Sequence, residues 1–295
     1  MICLAKKKKL SWNKAAAPGA SGEEAATPQA GPAGPAKRTG GTGTTGASAA
    51  AAIYWLVYAG VLGLLVVPPF FRGLFFPREQ LIALLVTLGL FILWWVRRFL
   101  LRAGGFFNGP VDLAALALVA AYGLSFFVAV NPRAAIGELL KNLTYFLLLW
   151  LALELVREKR DLGIFLRVLV LAGVATAVLG VGVAAGTFAY KGAFEGGRLS
   201  SSFQYPNTFA SYLATLSLLA VALAAETPRL WEKPLFSGAA GFMLLTFLFN
   251  QSRGALLILP PAALVLLIAA PRGTRPAVFW HLLAAGAGAL ACAGP

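Results

Sequence analysis

The sequence predicts an all-α protein, a polytopic integral membrane bundle of about nine transmembrane helices. Three observations carry this. Of its 295 residues 59% are hydrophobic and only 12% charged, and the mean hydropathy of +0.78 is far above that of a domain that must face water on all sides. The apolar residues fall in long runs, each matching the 20 or so helical residues that cross a hydrocarbon core of about 30 Å. The basic residues fall in the short gaps between those runs, where they set membrane topology. The net charge of +14 is therefore no sign of nucleic-acid binding. The two cysteines, Cys3 and Cys292, lie at opposite ends of the chain and offer neither a disulfide framework nor metal-ligand spacing.

Residues 1–50 are rich in Ala, Gly, Pro, Thr and Lys and nearly free of large apolar side chains, so they read as a disordered, low-complexity cytoplasmic tail. Lys6 to Lys9 resemble the start of a signal peptide, but no apolar core follows before Ala47. Residues 51–295 form the transmembrane domain, its first span acting as an uncleaved anchor. The expected spans lie near 51–69, 80–96, 112–130, 136–155, 163–187, 208–225, 235–250, 254–270 and 277–293. Pro260-Pro261 interrupts the eighth and should kink it.

Alternate gaps differ in charge. Ten basic residues (Arg97, Arg98, Arg102, Arg157, Lys159, Arg160, Arg229, Lys233, Arg272 and Arg275) share the side of the basic tail, against six on the other (Arg72, Arg78, Arg133, Lys191, Arg198 and Arg253). The positive-inside rule puts the first set and the N-terminus in the cytoplasm. The minority, held outside against the bias, includes two polar islands.

The longer island, residues 191–208, links two apolar runs with Arg198, three serines, Gln204, Tyr205 and Asn207, and its glycines and prolines disfavour regular structure. The shorter one, Asn250-Gln251-Ser252-Arg253-Gly254, interrupts apolar sequence. Asn207 suits an N-cap for the sixth span, and Arg253 stands where the eighth begins. Helix N-termini offer unpaired N–H groups and the positive end of a dipole, so two of them with two guanidiniums make an anion site suited to pyrophosphate. Arginine at both places favours forked contacts to phosphate oxygens. Either arginine alone would read as a snorkelling anchor, the reading kept for Arg72, Arg78 and Arg133. Glu138 and Lys141, three residues apart in the fourth span, read as a structural ion pair beside Asn142.

The run Gly197-Arg198-Leu199-Ser200-Ser201-Ser202-Phe203-Gln204-Tyr205-Pro206-Asn207-Thr208-Phe209-Ala210, followed one hairpin later by Gln251-Ser252-Arg253-Gly254-Ala255, resembles the O-antigen ligase and O-antigen polymerase family of bacterial membrane glycosyltransferases. Gly109-Pro110-Val111-Asp112 and Asn131-Pro132-Arg133 add to the likeness, which covers about residues 51–295. It implies transfer of a glycan from undecaprenyl diphosphate to a glycan or lipid acceptor at the outer face of the bacterial inner membrane, in cell-surface polysaccharide assembly.

In that resemblance Arg198 and Arg253 are the catalytic arginines that hold the diphosphate leaving group. Lys191, Ser200, Ser201, Gln204, Tyr205, Asn207 and Ser252 are then the substrate-binding residues. Neither a metal nor another cofactor is expected, since no acidic cluster of metal-ligand type falls in the outer gaps. The family draws its acceptor base from a histidine in a large outer loop. The one histidine here, His281, lies near the inner end of the ninth span beside Trp280 and reads as an interfacial residue. The resemblance therefore implies a piece of a longer protein, lacking its base and inactive as it stands. A transporter or flippase of lipid-linked glycans is the alternative. Internal repeats and midplane charge pairs, which would mark it, are not seen.

Overall fold

The computed structural model describes residues 43–293 apart from 104, 106–108 and 204. The expected tail up to residue 42, and Gln204, lie outside the described residues.

Among the described residues nine α-helices follow one another: α1 (Gly43–Val66), α2 (Pro77–Leu100), α3 (Pro110–Ser125), α4 (Pro132–Leu155), α5 (Lys159–Ala184), α6 (Pro206–Glu226), α7 (Glu232–Asn250), α8 (Arg253–Ala269) and α9 (Arg275–Ala293). Seven helical stretches among the described residues, those built on α1 to α6 and on α9, are long and apolar enough to cross a membrane. The chain is a multi-pass helical membrane protein. The other two of the nine expected spans form helices outside that set. α7 spends its first turn on Glu232, Lys233 and Pro234, and α8 is an apolar helix of 17 residues. α8 runs unbroken through Pro260 and Pro261.

The helix boundaries follow from local chemistry. Pro77, Pro110, Pro132 and Pro206 each stand in the first turn of a helix, where the missing N–H costs nothing and the fixed φ is already helical. Asn131 caps α4 by accepting a hydrogen bond from the Ala134 amide at 3.2 Å, so Asn131-Pro132-Arg133 opens the fourth helix. α1 starts at Gly43, earlier than the expected boundary at 51. The alanines around 49–52 are strong helix formers, and a small-residue composition does not distinguish tail from helix there.

Two cores hold the bundle. In one, Val57 and Val61 of α1 meet Trp94 of α2 and Trp150, Leu151 and Leu155 of α4. In the other, α6 is central, with Phe209, Leu213 and Val221 packed against Met243 and Phe247 of α7 and against α5 and α9. Between apolar side chains in lipid the gain comes from close packing rather than from expelling water. Gly173 of α5 allows it, since a Cβ there would lie 2.7 Å from Leu216 Cδ1 and 2.8 Å from Met243 Sδ. Half of α6's span is buried inside the protein but only 6% of α3's, which puts α6 at the heart of the bundle and α3 on its rim.

Candidate functional site

The segment between α5 and α6 is built, not loose. Phe194–Glu195 (β1) pairs antiparallel with Arg198–Leu199 (β2), Glu195 opposite Arg198. Gly196 and Gly197 make the turn at φ 58° and 74°. Two consecutive positive φ angles are the hairpin geometry whose twist matches paired strands. The sequence reading took these glycines as breakers of regular structure; here they create a small ladder that sets the position of Arg198.

The three serines that follow fasten this hairpin to the bundle. The Ser200 and Ser201 amides both donate to the Ala193 carbonyl, at 2.7 and 3.1 Å. Ser201 Oγ donates to the Thr176 carbonyl inside α5, and Ser202 Oγ to the Pro69 carbonyl in the α1–α2 connection, each at 2.7 Å. All three side chains are buried. Ser200 and Ser201, expected to face a substrate, thus point into the protein, and Ser201 reaches its carbonyl from a left-handed φ of 50°.

Asn207 joins the two islands. Its Oδ1 accepts from Arg198 Nη2 at 2.8 Å and from Ser252 Oγ at 3.1 Å. It is not the N-cap of α6. Tyr205 holds that position, exposed, and Pro206 takes the first turn. This frees the Asn207 amide for side-chain contacts. Ser252 is the N-cap of α8 and Arg253 its first residue, so one hydrogen-bonded asparagine brings the start of α6, the start of α8 and the Arg198 guanidinium into one cluster. Arg198 is half-buried and Arg253 exposed. Lys191 lies in the exposed turn ahead of β1.

One residue that the sequence reading left out of the site holds the cluster from beneath. Asn250, fully buried at the end of α7, donates its Nδ2 to the Leu199 carbonyl and, at 2.8 Å, to the Pro206 carbonyl. Its own backbone carbonyl lies 3.5 Å from Arg198 Nε. Gln251 then turns the chain into α8 through φ 57°. The sequence signal was an asparagine closing an apolar run. Around Asn207 the structure thus gathers the Arg198 guanidinium and two helix N-termini, with Arg253 opening α8 next to Ser252, and no described carboxylate is hydrogen-bonded to Arg198.

At the opposite end of the bundle two buried acids each hold a pair of arginines. Glu154 accepts from Arg98 at 2.8 Å and from Arg157 at 3.1 Å. Glu232 accepts from Thr227 at 2.5 Å, Arg229 at 2.9 Å and Arg167 at 3.0 Å. The Thr227 hydroxyl first, and then the two guanidiniums, hold the Glu232 carboxyl below its usual range against the opposing effect of burial. Along α4, Lys141 and Glu138 form the expected ion pair at 2.5 Å. His281, beside the exposed Trp280, has its Nδ1 2.6 Å from Ser237 Oγ of α7. Among the described residues no group of three or more His, Cys, Asp or Glu is placed to hold a metal ion.

A multi-pass helical membrane protein with an arginine and two helix N-termini gathered at one end is thus the class that fold and geometry define. Comparison with family models, with curated proteins and with solved structures finds no match.

Proposed function

We propose that this chain is a membrane glycosyltransferase of the O-antigen ligase or polymerase kind, moving a glycan from an undecaprenyl-diphosphate carrier to a glycan or lipid acceptor on the extracytoplasmic face. The observation that carries the reading is the Asn207 junction, which ties the Arg198 guanidinium to the starts of α6 and α8, α8 opening with Arg253. Departure of a lipid diphosphate builds negative charge on the oxygen that bridged it to the sugar. Guanidinium and amide donors around that oxygen stabilise the transition state more than the bound substrate. The buried fastenings of Ser201, Ser202 and Asn250 support the same reading, because donors held rigidly need no rearrangement when charge develops. Tyr205, exposed at the lip of the cluster, is proposed to contact the carrier or its sugar. His281, on α9 near the far end of the bundle, is not proposed as the acceptor's base: a base must come within about 3 Å of the proton it removes, or reach it through one water.

The test is binding of undecaprenyl diphosphate to the protein in lipid nanodiscs, with undecaprenol as the uncharged control. Arg198→Ala and Arg253→Ala should each weaken diphosphate binding about tenfold or more, since a charge-assisted hydrogen bond contributes roughly 1.5 to 3 kcal/mol. Lysine at either position should restore only part of it. A double alanine variant that binds like the parent would overturn the proposal.

A further inference from the structure

A groove of about 710 Å³ runs between α5 and α7. Its walls are apolar, with Val170, Val174 and Val178 on one side and Leu235, Ala239 and Phe242 on the other. At one end it meets the ion cluster of Arg167, Arg229 and Glu232, beside Trp231, which is 64% exposed. We propose that this groove is a binding site for one anionic phospholipid, an acyl chain lying along α5 and α7 and the phosphodiester resting on the two arginines. The site lies at the end of the bundle opposite Arg198 and is independent of the diphosphate reading.

Two properties select this occupant. A cleft facing hydrocarbon is filled by hydrocarbon, because an empty one would leave its lining without contacts on one side. The charge at the mouth selects the headgroup. Glu232 is buried and already saturated by Arg167, Arg229 and Thr227, so two guanidiniums share one carboxylate and one positive charge is left over. Each guanidinium carries five N–H donors, and the Arg167 and Arg229 side chains remain 44% and 63% exposed. A basic pocket between helices with an interfacial tryptophan beside it fits a phosphate held at headgroup depth. Were the cluster only a tie between α5 and α7, the headgroup charge of the lipid in the groove would be immaterial.

Native mass spectrometry of the purified chain, titrated with dioleoyl phosphatidylglycerol and dioleoyl phosphatidylcholine, separates these outcomes. One phosphatidylglycerol should be retained with a preference of about fivefold or more over phosphatidylcholine, on the order expected for one or two basic side chains at a phosphate. Arg229→Gln, which leaves Glu232 its bonds to Arg167 and Thr227, should bring the preference close to parity. Gly238→Leu fills the groove from α7, where a Cβ meets nothing within 4 Å, and should abolish the bound lipid with the ion cluster intact; it decides the matter if Arg229→Gln does not fold. Excess glycerol 3-phosphate should not displace the lipid. Equal retention of the two lipids, an undiminished preference in either folded variant, or displacement by glycerol 3-phosphate would each overturn the proposal.

Discussion

Asn250 donates its side-chain amide to the backbone carbonyl of Leu199, a residue that precedes it by 51 positions, and so ties the end of α7 to the strand that carries Arg198. The same amide reaches the Pro206 carbonyl at the start of α6. One buried side chain therefore spans three elements.

Replacing Asn250 with alanine should leave both carbonyls without their donor, at a cost of about 1 to 3 kcal/mol for each that stays buried. Thermal unfolding in detergent should show a clear fall in Tm. Asn250→Asp should be worse at neutral pH, because a carboxylate would face two carbonyl oxygens. A Tm unchanged by either substitution would mean that the clamp contributes nothing.

Gly73, in the connection between α1 and α2, has φ 64°, and a Cβ there would stand 2.9 Å from Phe203 Cδ1. Gly73→Ala should destabilise by about 1 to 3 kcal/mol, from the left-handed backbone and the overlap together. Adding Phe203→Leu should recover the overlap but not the backbone strain. A double-mutant cycle reads this as a coupling between the two positions, and strict additivity would show that they do not touch.

The two acidic residues of α4 should respond very differently to loss of their charge. Glu154 is 3% exposed and pairs with a buried Arg98, so Glu154→Gln leaves a guanidinium inside the protein short of its counter-charge, at about 3 to 5 kcal/mol. Glu138, 52% exposed, should cost at most about 1 kcal/mol when changed to Gln. Denaturation in a mild detergent orders the two, and a reversed order would refute the burial argument.

For orientation, Lys191→Cys and Leu230→Cys, in a chain with Cys3 and Cys292 changed to serine, should label oppositely with a membrane-impermeant thiol reagent. Lys191 and Leu230 are both exposed, at opposite ends of the bundle. Intact cells should label position 191 and spare position 230. The reverse pattern would invert the topology inferred from the basic residues.

The helices were largely legible in advance, because a bilayer demands a fixed length of apolar sequence and prolines such as Pro110 and Pro206 mark where helices start. The loop was not. Gly196-Gly197 reads equally as a breaker or as the one pair that closes a two-residue hairpin, and only the register of Phe194 with Leu199 decides. The buried contacts of the serines were hidden for a related reason. Polar side chains near a membrane must satisfy buried backbone groups as often as they meet a ligand, and the partners of Ser201 and Ser202, Thr176 and Pro69, are remote in sequence. Asn207 stood out as an N-cap, a place that Tyr205 takes, and Asn250 passed as the rim of an island.

The shortness of α8 bears on the lipid around it. At about 1.5 Å per residue its 17 residues reach only about 25 Å, less than a hydrocarbon core of about 30 Å. Its far end is pinned by Arg275, which donates to the carbonyls of Ala270 and Ile268 at 3.0 and 2.6 Å. With α8 as the eighth span that the sequence predicts, a mismatch of this size is relieved by dimpling the bilayer or by drawing the helix end inward. Either response brings Arg253 and the hydrocarbon boundary closer together, so a phosphate tethered to a membrane-embedded chain would meet the arginines without being lifted out of its leaflet.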